Sequence, residues 1–379
     1  MDIKTKCIHG ENPIQDATGA VSFPIYQSAT FAHPGVGQST GYDYSRMQNP
    51  TREQLERTVA SLDGALDALA FSSGMAAISA AMELFRPGDH LIVSDDLYGG
   101  AHRLFENTAK KNGLAFDYVN TSYTDRIEKQ IRPETKAIFV ETPTNPMMQV
   151  SDIRAICSLA KKHSLLTIID NTFLTSYFQQ PIQMGADIVV YSGTKFYGGH
   201  NDTIAGFLVV NTPELSGKLR FIIKTTGAGL APFDCWLILR GLKTLAVRME
   251  QQQKNAIAIA DWLKLQPKVK KVHYAGLPDH PSYAVSLGQS TGFGAMISFE
   301  VDSEETAVRL LERVQLILYA ESLGGVETLI TYPMLQTHAD IPKEIREARG
   351  INERLLRLSV GLEYADDLIA DLKQALEEE

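Results

Sequence analysis

The chain has 379 residues, 44% apolar and 21% charged, with a net charge of −9. That length predicts two or three domains with a buried core, and the acidic balance argues against a nucleic-acid-binding face. Three cysteines (Cys7, Cys157, Cys235) without CxxC spacing argue against a disulfide scaffold or a zinc ribbon. No signal sequence and no membrane-length apolar run is visible, so a soluble, cytoplasmic protein is expected.

Residues 1–60 carry many turn formers, among them Pro24, Pro34, Gly35, Gly37, Gly41 and Pro50, and predict an irregular arm. Phe23, Tyr26, Phe31, Tyr42 and Tyr44 make the arm too apolar for a disordered tail. It is expected to pack on its own domain or on a partner subunit.

Beyond residue 60 the pattern becomes regular. Strands are expected over 68–71, 90–94, 116–120, 137–141, 166–170, 187–191 and 206–210, with helices over 74–85, 100–112, 124–131 and 153–163. Strand–helix alternation with mostly apolar strands predicts an α/β domain over 61–245, built on a mainly parallel sheet covered on both faces. One long helix over 242–265, followed by Pro267, is expected to lead into a smaller α+β domain over 246–379. There, 294–301 and 356–362 read as strands, and 304–314 and 365–376 as helices.

In an open α/β sheet, ligands bind at the carboxyl ends of the strands. Ser72-Ser73-Gly74-Met75 joins a strand to a helix start. It reads either as an anion site or as an ordinary N-cap. No GxxxxGK[ST] and no helix-opening GxGxxG occurs, which lowers the case for nucleotide and dinucleotide cofactors. Lys195 follows an apolar strand beside Ser192 and Thr194. A desolvated lysine there can form a Schiff base. Asp170 ends another strand and suits a pyridine nitrogen, although it would also serve as a helix cap. Tyr98 can stack on a flat ring. Phosphate cup, ring carboxylate, stacking tyrosine and lysine together describe a pyridoxal 5′-phosphate (PLP) site. The GxSxG letters at 37–41 lie in the arm, with no strand before them or helix after them, and read as chance. No HExxH or metal-ligand spacing exists, so no metal is expected and His200 and His338 read as packing or loop residues.

Further motifs are Tyr44-Ser45-Arg46, Asn49-Pro50-Thr51, Ser73-Gly74-Met75-Ala76-Ala77, Asp96-Leu97-Tyr98-Gly99-Gly100, Glu141-Thr142-Pro143-Thr144-Asn145-Pro146, Asp170-Asn171-Thr172-Phe173 and Glu321-Ser322-Leu323-Gly324-Gly325. With them the chain resembles, over nearly its whole length, the Cys/Met-metabolism (transsulfuration) PLP-dependent enzymes, a branch of fold-type I (aspartate aminotransferase-like). The resemblance implies the following roles. Lys195 is the Schiff-base lysine and proton shuttle, Asp170 pairs with the pyridine nitrogen, and Tyr98 stacks on the ring. Gly74, Met75, Ser192 and Thr194 hold the phosphate. Tyr44 and Arg46 reach the phosphate of a neighbouring subunit's cofactor, which implies shared active sites in a dimer and usually a homotetramer. Asn145, Ser322 and Arg357 hold the substrate, with Arg357 clamping its α-carboxylate. Glu321 stands where γ-synthases and γ-lyases of the family typically have glutamate.

Two departures accompany the resemblance. The lysine motif, commonly His-Ser-Ala-Thr-Lys-Tyr, reads Tyr191-Ser192-Gly193-Thr194-Lys195-Phe196, and Gly100 stands where methionine γ-lyases usually place cysteine. The expected activity is making or cleaving the C–S bonds of cystathionine, of γ-synthase or γ-lyase type. The alternatives are β-lyase, methionine γ-lyase and O-acylhomoserine sulfhydrylase; more distant ones are an aminotransferase and a non-catalytic PLP-binding protein.

Overall fold

A computed structural model describes residues 1–11 and 18–377. Seven strands form the first sheet: β1 (Asp67–Phe71), β2 (His90–Ser94), β3 (Ala115–Val119), β4 (Thr135–Glu141), β5 (Leu166–Asp170), β6 (Ile188–Ser192) and β7 (Gly206–Val210). Their spatial order is β1-β7-β6-β5-β4-β2-β3. β7 runs antiparallel to β1 and β6, and the remaining pairings are parallel. Six strands therefore end on one edge.

Alternate residues of each strand face opposite sides. Ala68, Ala70, Ile138, Val140, Ile169 and Val189 pack with Leu55, Val59, Leu62, Ile156 and Met249. Leu69, Phe71, Ala137, Phe139, Ile168 and Val190 pack with Ala77, Ala81, Phe105, Leu215 and Leu219. With helices on both faces, the strands carry apolar side chains in both directions, and this explains their unbroken apolar runs.

The second sheet comprises β8 (Val269–His273), β9 (Met296–Val301), β10 (Leu318–Tyr319), β11 (Leu329–Thr331) and β12 (Leu355–Ser359), in the order β10-β11-β12-β9-β8. Arg357 sits mid-strand on β12, in register with Thr331 on one side and Ser298 on the other. Ser298 donates to Pro146 O at 2.7 Å, which ties this sheet to the loop after β4. Among the described residues no helix is long and apolar enough to cross a membrane.

The N-terminal segment corrects the sequence expectation. It contains helices Ile3–His9 and Pro50–Asp63. The second has a complete set of termini: Asn49 caps the amides of Thr51 and Arg52, Pro50 opens the first turn, and Gly64 closes the end at φ 60°. Helices Pro213–Thr226 and Pro232–Leu242 also lie where none was expected. The long helix runs only over Leu245–Leu263. The chain turns before it, where the Thr244 hydroxyl donates to Gly241 O. The expected helix over 100–112 is a short α-helix, Gly99–Arg103, continued by a π-helical stretch, Leu104–Ala109.

A buried polar file links these parts. Asp63 accepts from Tyr191 Oη at 2.6 Å and from Ser176 Oγ at 2.9 Å. Tyr197 shares a hydrogen bond with Ser176. Lacking a cationic partner in these contacts, the Asp63 carboxyl is pushed up to about 7 by burial. The segment from Tyr191 to Tyr197, which carries Lys195, is thus tied down at both ends. The tyrosine at 191 and the phenylalanine at 196 fit this setting. Tyr191 supplies the hydroxyl that Asp63 accepts, and Phe196 is fully buried.

Candidate active site

The carboxyl edge of the first sheet faces β12 across a cavity of about 310 Å³. Eleven of the thirteen residues expected at the site line it: Gly74, Met75, Tyr98, Asn145, Asp170, Ser192, Thr194, Lys195, Glu321, Ser322 and Arg357. Tyr44 and Arg46 are not among the lining residues. Arg46 lies over the Tyr44 ring, 5.6 Å from its centroid, and donates to Lys224 O.

Glycines allow the cup at the end of β1. Ser73 caps the helix Gly74–Met82 by accepting from Ala76 N, and the N–H groups of Gly74 and Met75 have no acceptor within the helix. A Cβ on Gly74 would stand 3.1 Å from Ser192 Cβ, and one on Gly206 would stand 2.1 Å from Ser73 O. A side chain at 206 would thus force the helix start away from β7, and one at 74 would crowd Ser192. Thr194 lines the same region, its hydroxyl accepting from Ala205 N at 3.0 Å. Gly193 has a local cause: a Cβ there would lie 2.5 Å from the buried Phe207 ring and 3.0 Å from Ala205 Cβ.

Asp170 ends β5. Its Oδ1 accepts from the Thr172 hydroxyl at 2.6 Å and from Thr172 N at 3.0 Å, and the same hydroxyl accepts from Ser192 N at 2.9 Å. Burial pushes the Asp170 carboxyl up to about 6 in spite of these bonds. Glu141 ends β4 in register with Asp170 and is itself pushed well up, by burial and by Asp170.

Lys195 Nζ donates to Ser322 Oγ at 2.9 Å. Burial, reinforced by Arg357 and opposed by Glu321, pushes the amine down to about 8. Arg357 is buried, with Nη1 donating to Asn145 Oδ1 at 2.8 Å and Nη2 to Ser322 O at 2.9 Å and Thr331 Oγ1 at 3.0 Å. Its buried Nε is left without a hydrogen-bond partner. Burial lowers the guanidinium only to about 10, so it remains a cation at neutral pH.

Tyr98 borders the cavity, and a Cβ at Gly100 would stand 2.4 Å from the edge of its ring. A side chain at 100 would thus displace the tyrosine from this pose. Three contributors were given no role at the site by the sequence. Glu141 and Thr172 work through backbone amides of other elements. The buried His338, read as a packing residue, contacts Asn145 O at 3.1 Å through Nε2. A carboxylate ending an apolar strand beside Asp170 and a hydroxyl two residues after it were the available signals.

These residues fit PLP. The glycine-lined cup with free amides suits a phosphate, Asp170 suits a pyridine nitrogen, and the desolvated Lys195 suits an aldehyde.

Comparison with known proteins agrees. The family model described as Cys/Met metabolism PLP-dependent enzyme matches residues 4–377. A cystathionine beta-lyase of Lactococcus lactis subsp. cremoris is 48% identical over 99% of this chain and 99% of its own length. A cystathionine gamma-lyase of Bacillus subtilis is 48% identical over the whole of both chains. The crystal structure of a cystathionine gamma-lyase from Lactobacillus plantarum, complexed with L-serine, superposes with a TM-score of 0.96 at 45% identity, covering 99% of this chain and 98% of that one. The chain belongs to the Cys/Met-metabolism PLP-dependent enzymes, has their fold-type I architecture, and uses pyridoxal 5′-phosphate.

Proposed function

We propose that this member of the family makes or breaks the carbon–sulfur bonds of cystathionine, in the manner of a γ-synthase or γ-lyase. The convergence of Lys195, Asp170 and Arg357 on one cavity supports PLP chemistry at an amino acid's Cα, and the similarity to cystathionine lyases supports its extension to C–S bonds. A β-lyase and a γ-lyase are equally similar to the chain, so the preference for γ-type chemistry rests on Glu321. That exposed carboxylate borders the cavity near both Lys195 and Arg357 and suits the distal ammonium of cystathionine.

Bound PLP supplies an electron sink for the pair left when a substrate proton departs. In this reading Gly74, Met75, Ser192 and Thr194 hold its phosphate, Asp170 keeps the ring nitrogen protonated, and Tyr98 covers the ring face. Tyr44 and Arg46 serve the phosphate of a neighbouring subunit's cofactor, consistent with their absence from their own chain's cavity. Arg357, steadied by Asn145 and Ser322, clamps the substrate α-carboxylate through its fork. Lys195 holds the cofactor before substrate arrives and then works as the proton carrier. Its amine, held by Ser322, takes the Cα proton when neutral; for γ-chemistry it must give that proton up, becoming neutral again, before it takes a second one from Cβ. The protein is further proposed to be a cytoplasmic homotetramer of shared-site dimers acting in methionine biosynthesis.

Product analysis with cystathionine tests the reading. Cysteine with 2-oxobutyrate is expected. Homocysteine with pyruvate would make it a β-lyase, and a keto-acid half-reaction without thiol release would make it an aminotransferase.

A further inference from the structure

We propose that Glu141 is a positioning residue that fixes, with one carboxylate, both the cofactor-facing and the substrate-facing side of the site. Glu141 is the last residue of β4, a strand flanked by β2 and β5. Its side chain is buried yet borders the cavity. Oε2 accepts from Tyr98 N at 2.9 Å, and Oε1 accepts from Asn145 N at 2.8 Å. The two amides belong to different segments. Tyr98 stands at the start of the helix following β2, and Asn145 lies in the loop following β4. Asn145 passes the constraint on, because its Oδ1 accepts from Arg357 Nη1.

The chemistry of the acceptor matters. Both donors are N–H groups, so both partner atoms must be oxygens. A carboxylate offers two, whereas an amide offers one oxygen and would turn an NH₂ group toward the second N–H. A buried amide that loses its acceptor keeps its desolvation cost, which displaces the loop that carries it.

The inference rests on Tyr98 facing the cofactor and Asn145 facing the substrate. Two equilibrium constants test it: PLP binding to the stripped protein, and binding of L-norleucine, which has no γ-leaving group, to the holoenzyme. Because Glu141→Gln leaves one oxygen for two N–H groups, it is expected to weaken one constant by about tenfold or more, the effect of losing one buried hydrogen bond, and the other by less. The loss toward PLP should vanish in a Tyr98→Ala background, and the loss toward norleucine in an Asn145→Ala background. Unchanged constants in Glu141→Gln, with only a lowered Tm, would overturn the inference by reducing the residue to a structural one. Undiminished losses in both backgrounds would also overturn it, because Glu141 would then act by direct charge. If Tyr98→Ala and Asn145→Ala themselves change neither constant, the underlying site reading falls as well. If they weaken binding and Glu141→Gln does not, this inference alone falls. Should the glutamine variant not fold, Glu141→Asp carries the same cycles, since it keeps the charge and shortens the reach.

Discussion

The protonation of Lys195 offers a direct trial of the site's electrostatics. An ordinary lysine titrates at 10.5, whereas burial and Arg357 bring Lys195 to about 8. At about 1.36 kcal/mol per pKa unit, the ammonium is disfavoured by about 3 kcal/mol. At pH 8 half of the Lys195 amine is neutral, against roughly 0.3% of an ordinary lysine, an excess of about 150-fold. Trace acetic anhydride labels neutral amines, and peptide mapping of the stripped protein between pH 6 and 11 reads the midpoint residue by residue. Lys195 is expected to label with a midpoint near 8. Arg357→Met should move it up by removing a neighbouring cation, and Glu321→Gln should move it down by removing an anion. The same shift governs stability. Because the folded pKa is depressed, the cost of burying the ammonium is fully present below pH 8 and disappears as pH rises to 10.5. Lys195→Met should therefore stabilise the stripped protein by up to about 3 kcal/mol at pH 7, with the gain vanishing above pH 10.5. A midpoint near 10.5, or shifts of the same sign in both variants, would refute the reasoning.

Three further outcomes follow from the geometry. Lys195→Ala and Arg46→Ala proteins, each impaired alone, should regain activity when co-assembled, because a mixed dimer has one site with both residues intact; verified hybrids no better than their parents would rule out sharing across that interface. Glu321→Val should reduce kcat/KM for cystathionine about tenfold to hundredfold more than for methionine, from a contact worth about 1.5–3 kcal/mol; equal losses would remove the case for a distal-ammonium site. Gly193→Ala should cost about 1–3 kcal/mol in urea unfolding, since the new methyl would press on Phe207 and Ala205; an unchanged midpoint would show that the two give way freely.

The strands of the first sheet were the most legible part of the fold. His90–Ser94, Leu166–Asp170 and Gly206–Val210 are apolar runs covered on both sides, and their bounds in the sequence and the structure coincide. Pro50–Asp63 escaped notice because its polar residues blur the helical period, although Asn49, Pro50 and Gly64 mark both ends. The π-helical stretch after Arg103 has no local signature of that kind. At the site, residues whose own functional groups face the cavity could be named from strand ends. Glu141 and Thr172 stand in the same strand-end motifs, but their roles were not legible, because Tyr98 N and Ser192 N are brought to them only by the sheet. The Arg357 clamp depends on Asn145 and Ser322, which converge from distant parts of the chain.

The placement of β7 bears on when the cofactor can be captured. Ribosomes deliver β7 last of the strands in its sheet, yet it lies second in the spatial order, between β1 and β6. Those two strands, which end beside Ser73 and at Ser192, stand two strand spacings apart, roughly 9–10 Å. Gly206, in register with both Phe71 and Ser192, links their ends across the sheet. A nascent chain that has not yet exposed Gly206 therefore carries Ser73, Asp170, Ser192 and Lys195 but has no joined phosphate cup. Pairing β1 with β7 also closes the longest loop in the sheet, which belongs late in folding. A phosphate cup joined through β7 thus requires a completed sheet.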